Sequence, residues 1–310
     1  MRGKESVKFI LMLLIRQKRF LFCLFYFFYM TDSYRNRICE TEKKYLPLLF
    51  EYCRSLFKNN LLPSHDHLHH YRVWQYAKDL LAGLSDEGRE LSIRDISLLM
   101  LAVFFHDTGL TKTLDENHGL ESRRICEEFL ICNPDVFAFH VDVALKAIEM
   151  HDKKQMNMEK NDDCGVDLLK ILSICDDTDA FGSIGILRYA EIYILRGIPV
   201  KTLANKVLTN MDYRIGFLLS QKWIPESYLK KHTERFRYAY DFYEKLKLPD
   251  FGHSSQNYRK ILECYMGEVY TGESDLMQFA SNLAKSDYPE TAKFGTLLIS
   301  DLQDNSLNCR

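Results

Sequence analysis

The chain has 310 residues, 46% of them hydrophobic and 27% charged, enough apolar material for one large core or two modest ones. A net charge of −2 leaves no global basic field, so there is no nucleic-acid signal. The nine cysteines are odd in number and scattered without a C-x-x-C pair, which argues against a disulfide framework or zinc knuckle and for reduced thiols in a cytoplasmic protein.

Residues 1–33 differ from everything after them. "MRGKESVKFILMLLIRQKRFLFCLFYFFYM" has two apolar runs, 9–15 and 20–30, split by Arg16, Gln17, Lys18 and Arg19. Neither run reaches the ~20 apolar residues of a spanning helix, and cations in mid-span are costly in lipid. No small-residue cleavage site follows, so a signal peptide fits poorly. The segment reads as a basic-aromatic membrane-surface anchor or, preferably, as residues upstream of a translation start at Met30.

From about residue 40 apolar positions recur at helical spacing, interrupted by loops such as "NNLLPSHD", "CNPD", "EKNDDCG" and "RGIP". Glycine (14) and proline (7) are scarce and strand-like alternation is hard to find, so an all-α fold is expected. A main domain over 34–250 and a small C-terminal helical extension over 251–310 are expected, with the boundary near "KLPDFGHSSQN".

In "HHYRVWQYAKDLLAGL", Val73, Ala77, Leu80, Leu81 and Leu84 form an apolar stripe. One turn back it reaches His69 or His70, and at ~100° per residue the periodicity leans slightly to His70. The next element, "SLLMLAVFFHDTGL", is almost wholly apolar until His106 and Asp107, and Gly109 is expected to end that helix in a left-handed conformation. In "HGLESRRICEEFL", His118 shares a face with Ser122, Ile125 and Phe129; in "VDVALKAIEMHDKK", His151 continues the line of Ala144 and Ile148. In "DLLKILSICDDTDAFG", Asp176 continues Leu169 and Leu172, with Asp179 three residues on.

A single histidine on an apolar face is more often a hydrogen-bonded core residue than a ligand. Ionised carboxylates, however, resist burial unless paired or metal-bound. Two acids and at least four histidines at the inward edges of separate helices point to a shared cation. Imidazole with carboxylate suits a divalent transition metal such as Mn, Fe, Co, Ni or Zn.

Taken in chain order, "SHDHLHHYRV", "LAVFFHDTGL" and "CDDTDAFGSIGILR" resemble the motif segments of the HD-domain superfamily of metal-dependent phosphohydrolases, over about residues 64–240. In the first segment the family's histidine precedes Arg-Val by three residues, which selects His69. The resemblance implies an HD-domain helical bundle whose metal ligands are His69, His106, Asp107 and Asp176. His118 and His151, in "NHGLES" and "AIEMHD", are implied as auxiliary or second-site ligands. Asp177 departs from the pattern, since close relatives often carry a basic residue there.

The implied activity is phosphodiesterase-like hydrolysis of an ester or anhydride bond in a nucleotide or small phosphorylated metabolite, by metal-activated water. Asp107, His118 and Asp179 are the implied catalytic residues, the last two as proton carriers, with Asp179 alternatively a helix cap. Lys112, Arg188 and Arg214 are candidates for binding the anionic substrate, and each is also readable as a surface or structural pair. One ion is expected, with His118 and His151 on a wet rim suggested by the charged residues of "LDENHGLES" and "HDKK". Two alternatives keep the fold: a di-iron oxygenase of the same superfamily using four histidines and two aspartates, and a non-catalytic metal- or ligand-sensing module.

Overall fold

The computed structural model describes residues 34–60, 62–115, 117–153, 167–248 and 253–303. Residues 1–33, with the expected start at Met30, and residues 304–310 lie outside the described residues. Among those described there is no strand. The all-α expectation holds.

Helix α1 runs over 34–57. It is followed by α2 (His67–Asp86), α3 (Ile93–Phe105), a 3-10 turn (Thr108–Thr111), α4 (His118–Cys132) and α5 (Asp142–Met150). Then come α6 (Leu168–Asp179), α7 (Gly182–Leu195), α8 (Val200–Ser220), α9 (Glu226–Lys247), α10 (His253–Cys264), α11 (Leu276–Ala284) and α12 (Pro289–Gln303). The starts of α2, α3 and α6 are set by local chemistry. Asp66, Ser92 and Asp167 accept hydrogen bonds from the backbone N–H groups of Leu68, Asp95 and Leu169, which would otherwise lack partners.

Helix α3 explains the architecture. Every residue from Ile96 to Phe105 is buried, so the helix is apolar all round and must run through the middle of the bundle. Residues of α1, α2, α4, α5 and α6 enclose it in one continuous core, with Trp74 donating its indole N–H to Glu42 at 2.8 Å. Because α3 is central, whatever stands at its C-terminal end stands inside the protein. His106 and Asp107 stand there.

A second core is built from α7, α8 and α9 together with α10, α11 and α12, through residues such as Leu187, Met211, Tyr243, Tyr265, Phe279 and Phe294. It takes in residues from Ala180 onward: α7 packs on α12 and α9 on α10, while α8 packs on α7 and α9. No described helix is long and apolar enough to cross a membrane.

Candidate metal centre

Three of the histidines in this region are aimed by one local device. His106 and His151 are the residues that close α3 and α5, and His118 opens α4. Each turns its Nδ1 to the carbonyl three residues earlier: His106 to Val103 at 2.8 Å, His118 to Asp115 at 3.1 Å and His151 to Ile148 at 2.8 Å. A carbonyl only accepts, so Nδ1 carries the hydrogen and the neutral ring presents a lone pair at Nε2. His69 reaches the same state differently, with Nδ1 2.8 Å from Asp179 Oδ2.

The four Nε2 atoms converge on Asp107. His69 Nε2 lies 3.1 Å from His106 Nε2, 3.3 Å from Asp107 Oδ2 and 3.7 Å from Asp176 Oδ1. His106 Nε2 lies 3.6 Å from Asp107 Oδ2 and 3.7 Å from Asp176 Oδ1. The other oxygen of Asp107, Oδ1, is 3.2 Å from His118 Nε2 and 3.1 Å from His151 Nε2, and those two nitrogens are 3.4 Å apart. Two ligand groups therefore share one carboxylate: His69, His106, Asp107 and Asp176 in one, Asp107, His118 and His151 in the other. Within each, the ligand atoms lie within 4.8 Å of one another.

These residues fit a divalent ion. Ligand atoms about 2.1 Å from a common ion stand roughly 3.0–3.5 Å apart, close to the spacings found. Facing lone pairs at 3.1 Å repel unless a proton or cation lies between them. Among the described residues no thiol belongs to either group, and Cys53, Cys126 and Cys175 are buried with pKa values raised by desolvation.

The electrostatics of the cluster favour positive charge. Burial alone would raise the pKa of Asp107, but His106, His118, His151 and His69 hold it well below the usual carboxylate range. Asp176 is also held low, with His106 and Arg188 outweighing its burial. Burial pulls the His118 pKa down, yet Asp107 carries it up to about 9. His106 is raised against its burial by Asp107 and Asp176. For His69 burial and Arg188 prevail, and its pKa is lowered.

Several other expected residues behave differently from their reading in the sequence. His70 is buried, bonds Val103 O at 3.0 Å through Nδ1, and stands outside both ligand groups. Geometry thus favours His69, against the slight lean of the periodicity. Asp179 is not available as a mobile proton carrier. Arg72 grips it twice, at 2.8 and 2.9 Å, Arg188 approaches at 3.1 Å, and His69 takes the remaining contact. It orients the His69 ring instead.

His118 and His151 themselves are buried, 4% and 1% exposed, with α4 packed on α5, while Asp115, Asn117 and Lys153 beside them are exposed. Gly109 does not take the left-handed conformation expected of it. A Cβ on it would lie 2.0 Å from His118 O, so glycine is needed for the close approach of α4.

Of the three expected anion-binding residues, Arg188 is within the cluster. Its Nη2 lies 3.2 Å from His69 Nε2, 3.3 Å from Asp176 Oδ1 and 3.7 Å from Asp107 Oδ2. Arg214 is at its edge, paired closely with Asp177 and 3.6 Å from Asp176 Oδ2. That pairing gives Asp177, the unusual acid of "CDDTD", a structural partner. Lys112 is exposed at the end of the 3-10 turn and is not brought to the cluster.

Sequence reading passed over Arg72, although a buried arginine one turn beyond His69 on an apolar helix was a usable signal. It also passed over Glu191. This buried carboxylate on α7 accepts from Ser64 N at 3.1 Å and lies 2.9 Å from His65 Nδ1, with Tyr265 Oη also donating to it.

Comparison with known families fits this geometry in part. Residues 32–157 match the model of a family described as HD-CE, an HD-type name, over less than half of the chain. The matched stretch holds His69, His106, Asp107, His118 and His151, while Asp176, Asp179 and Arg188 lie beyond it. Neither the comparison with curated proteins nor that with solved structures gave a match. Fold and site define an all-α bundle with a buried His/Asp cluster able to hold a divalent ion, and its residues 32–157 are similar to an HD-type family.

Proposed function

We propose that the protein is a metal-dependent phosphohydrolase acting on a nucleotide or small phosphorylated metabolite. The observation that carries this is the placement of Arg188, a buried guanidinium against the cluster formed by His69, His106, Asp107 and Asp176. A substrate anion entering there meets a planar donor suited to phosphoryl oxygens beside a site for a divalent ion. When bound, such an ion supplies Lewis acidity and an activated water.

The chain's own residues would do the rest. His69, His106, Asp107 and Asp176 would hold the ion, and Asp179 would keep the His69 ring turned so that Nε2 faces it. Arg188 would bind and orient the phosphoryl group, with Arg214 holding Asp176 in place from behind. Asp107 would reach both ligand groups through its two oxygens. This sharing, and the burial of His118 and His151, support two ions in place of the single ion expected from the sequence.

The sharing of Asp107 supports a second reading, a di-iron oxygenase, because four histidines and two aspartates form two groups around one carboxylate. Metal analysis of the purified full chain, followed by a panel of nucleotides and sugar phosphates with Mn, separates the readings. Phosphate release with Mn and no requirement for O₂ is expected. Iron as the retained metal, with O₂ consumption and no phosphate release, would move the assignment to the oxygenase.

A further inference from the structure

The last helix reaches the metal centre through the helix that carries Arg188. The N-terminus of α7 has no capping side chain of its own, since the residue at that position is Phe181. Its free N–H groups are met instead by Asp301 of α12, 118 residues further along the chain. Asp301 Oδ2 accepts from Ser183 N at 2.8 Å and Ile184 N at 3.2 Å, and from the Ser183 hydroxyl. A carboxylate there also meets the positive end of the helix dipole.

Arg235 of α9 completes the clamp. It lies 3.4 Å from Asp301 Oδ1 and donates to Thr178 O and Phe181 O, both at 3.0 Å. Those carbonyls belong to the last turn of the helix of Asp176 and to the link joining it to the helix of Arg188. Gly182 adopts φ +77° just after this link, and a Cβ on it would lie 2.8 Å from Asp301 Oδ2. The backbone thus rests directly on the ion pair. From Ser183 to Glu191 α7 is buried throughout, so a shift of its first turn is carried along a packed rod to Arg188.

We propose that Asp301 is a positioning residue for Arg188: by capping α7 it sets how closely that guanidinium stands against Asp107 and Asp176. The C-terminal helices thereby tune both the ion affinity and the phosphate affinity of the site. The inference rests on the reading of the cluster as a metal centre. A guanidinium 3.2–3.7 Å from three ligand atoms opposes a divalent ion and favours an anion. Releasing it must therefore move the two affinities in opposite directions.

The test is calorimetric titration of the full chain with Mn²⁺, then of the Mn-loaded protein with inorganic phosphate, for wild type, Asp301→Ala, Arg188→Ala and the double variant. Asp301→Ala is expected to bind Mn²⁺ more tightly and phosphate more weakly, each by roughly three- to tenfold, as for a displaced nearby charge. Arg188→Ala should show larger shifts of the same signs, and adding Asp301→Ala to it should change neither further. Asp301→Asn fills the same volume and should give the same signs at smaller size, which serves if the alanine variant does not fold.

Weakening of both affinities together, additivity in the double variant, or unchanged affinities would each overturn the proposal. A wild-type protein that binds no Mn²⁺ would overturn the metal reading and this inference with it. One that binds Mn²⁺ but no phosphate would count against the hydrolase, while the Mn²⁺ arm still decides the role of Asp301.

Discussion

Asp107 is the residue on which the site depends. It is a buried carboxylate whose two oxygens face different pairs of histidines, and nothing else among the described residues joins the two groups. Asp107→Ala is expected to abolish metal retention and activity with helix content near wild type; full metal occupancy by elemental analysis would refute the ligand assignment. The paired change His118→Ala and His151→Ala should lower Mn stoichiometry from two per chain to one, and an unchanged value near one would restore the single-ion reading. Affinity should also depend on pH. His118, raised to about 9, and His106, also raised, hold protons in the metal-free protein that an ion must displace. Mn²⁺ affinity should therefore rise from pH 6.5 to 8.5, with proton release visible in buffers of different ionisation enthalpy. His118→Ala should flatten the upper part of that rise.

At the scale of elements, the second ligand group depends on how closely α4 approaches the turn after α3. Gly109 makes this contact, donating its N–H to Ser122 Oγ at 2.8 Å. Gly109→Ala places a methyl group against the backbone of His118 and must push α4 away. A loss of about 1–3 kcal/mol in urea unfolding is expected, as for other overpacked sites. The ion held by His118 and His151 should be lost before the one held by His69 and His106. Equal loss of both ions would mean that the two groups do not depend on separate elements. Helix spacing in the sequence located α2 to α6 and their inward polar residues. It did not indicate that the turn after His106 is 3-10, nor that α4 packs on it.

For the whole molecule, the two cores meet where α2, α6, α7 and α9 come together, and a buried histidine there reports on stability. His232 lies between Tyr76 and Tyr228, with ring centroids 5.5 and 4.2 Å away and no hydrogen bond to either nitrogen. Burial, then Arg235 and Lys231, hold its pKa well below 6.5. The unfolded chain takes up a proton near 6.5 that the folded protein refuses. The stability associated with a neutral His232 is thus complete above that pH and is lost as pH falls below it toward the folded value. His232→Phe should make the decline of Tm between pH 6.5 and 5 shallower, and an unaltered slope would show that His232 does not govern it. Saturating Mn²⁺ should raise Tm, by a free energy of about 2.7 kcal/mol for each ion bound at one hundred times its Kd.

His106, Asp107 and Asp176 were legible in the sequence, because the cost of placing an acid or imidazole on an apolar helix face is local and survives without a partner in view, whereas His69 was chosen over His70 by the resemblance alone. The helical class was legible for the same reason, since periodicity belongs to a segment. The sharing of Asp107, the commitment of Asp179 to Arg72 and His69, the exclusion of Lys112 and the capping of α7 by Asp301 were decided by the tertiary structure. They are distances between atoms far apart in the chain, several of them backbone carbonyls and N–H groups that every residue carries. No spacing of side chains along the sequence encodes which of those groups will meet.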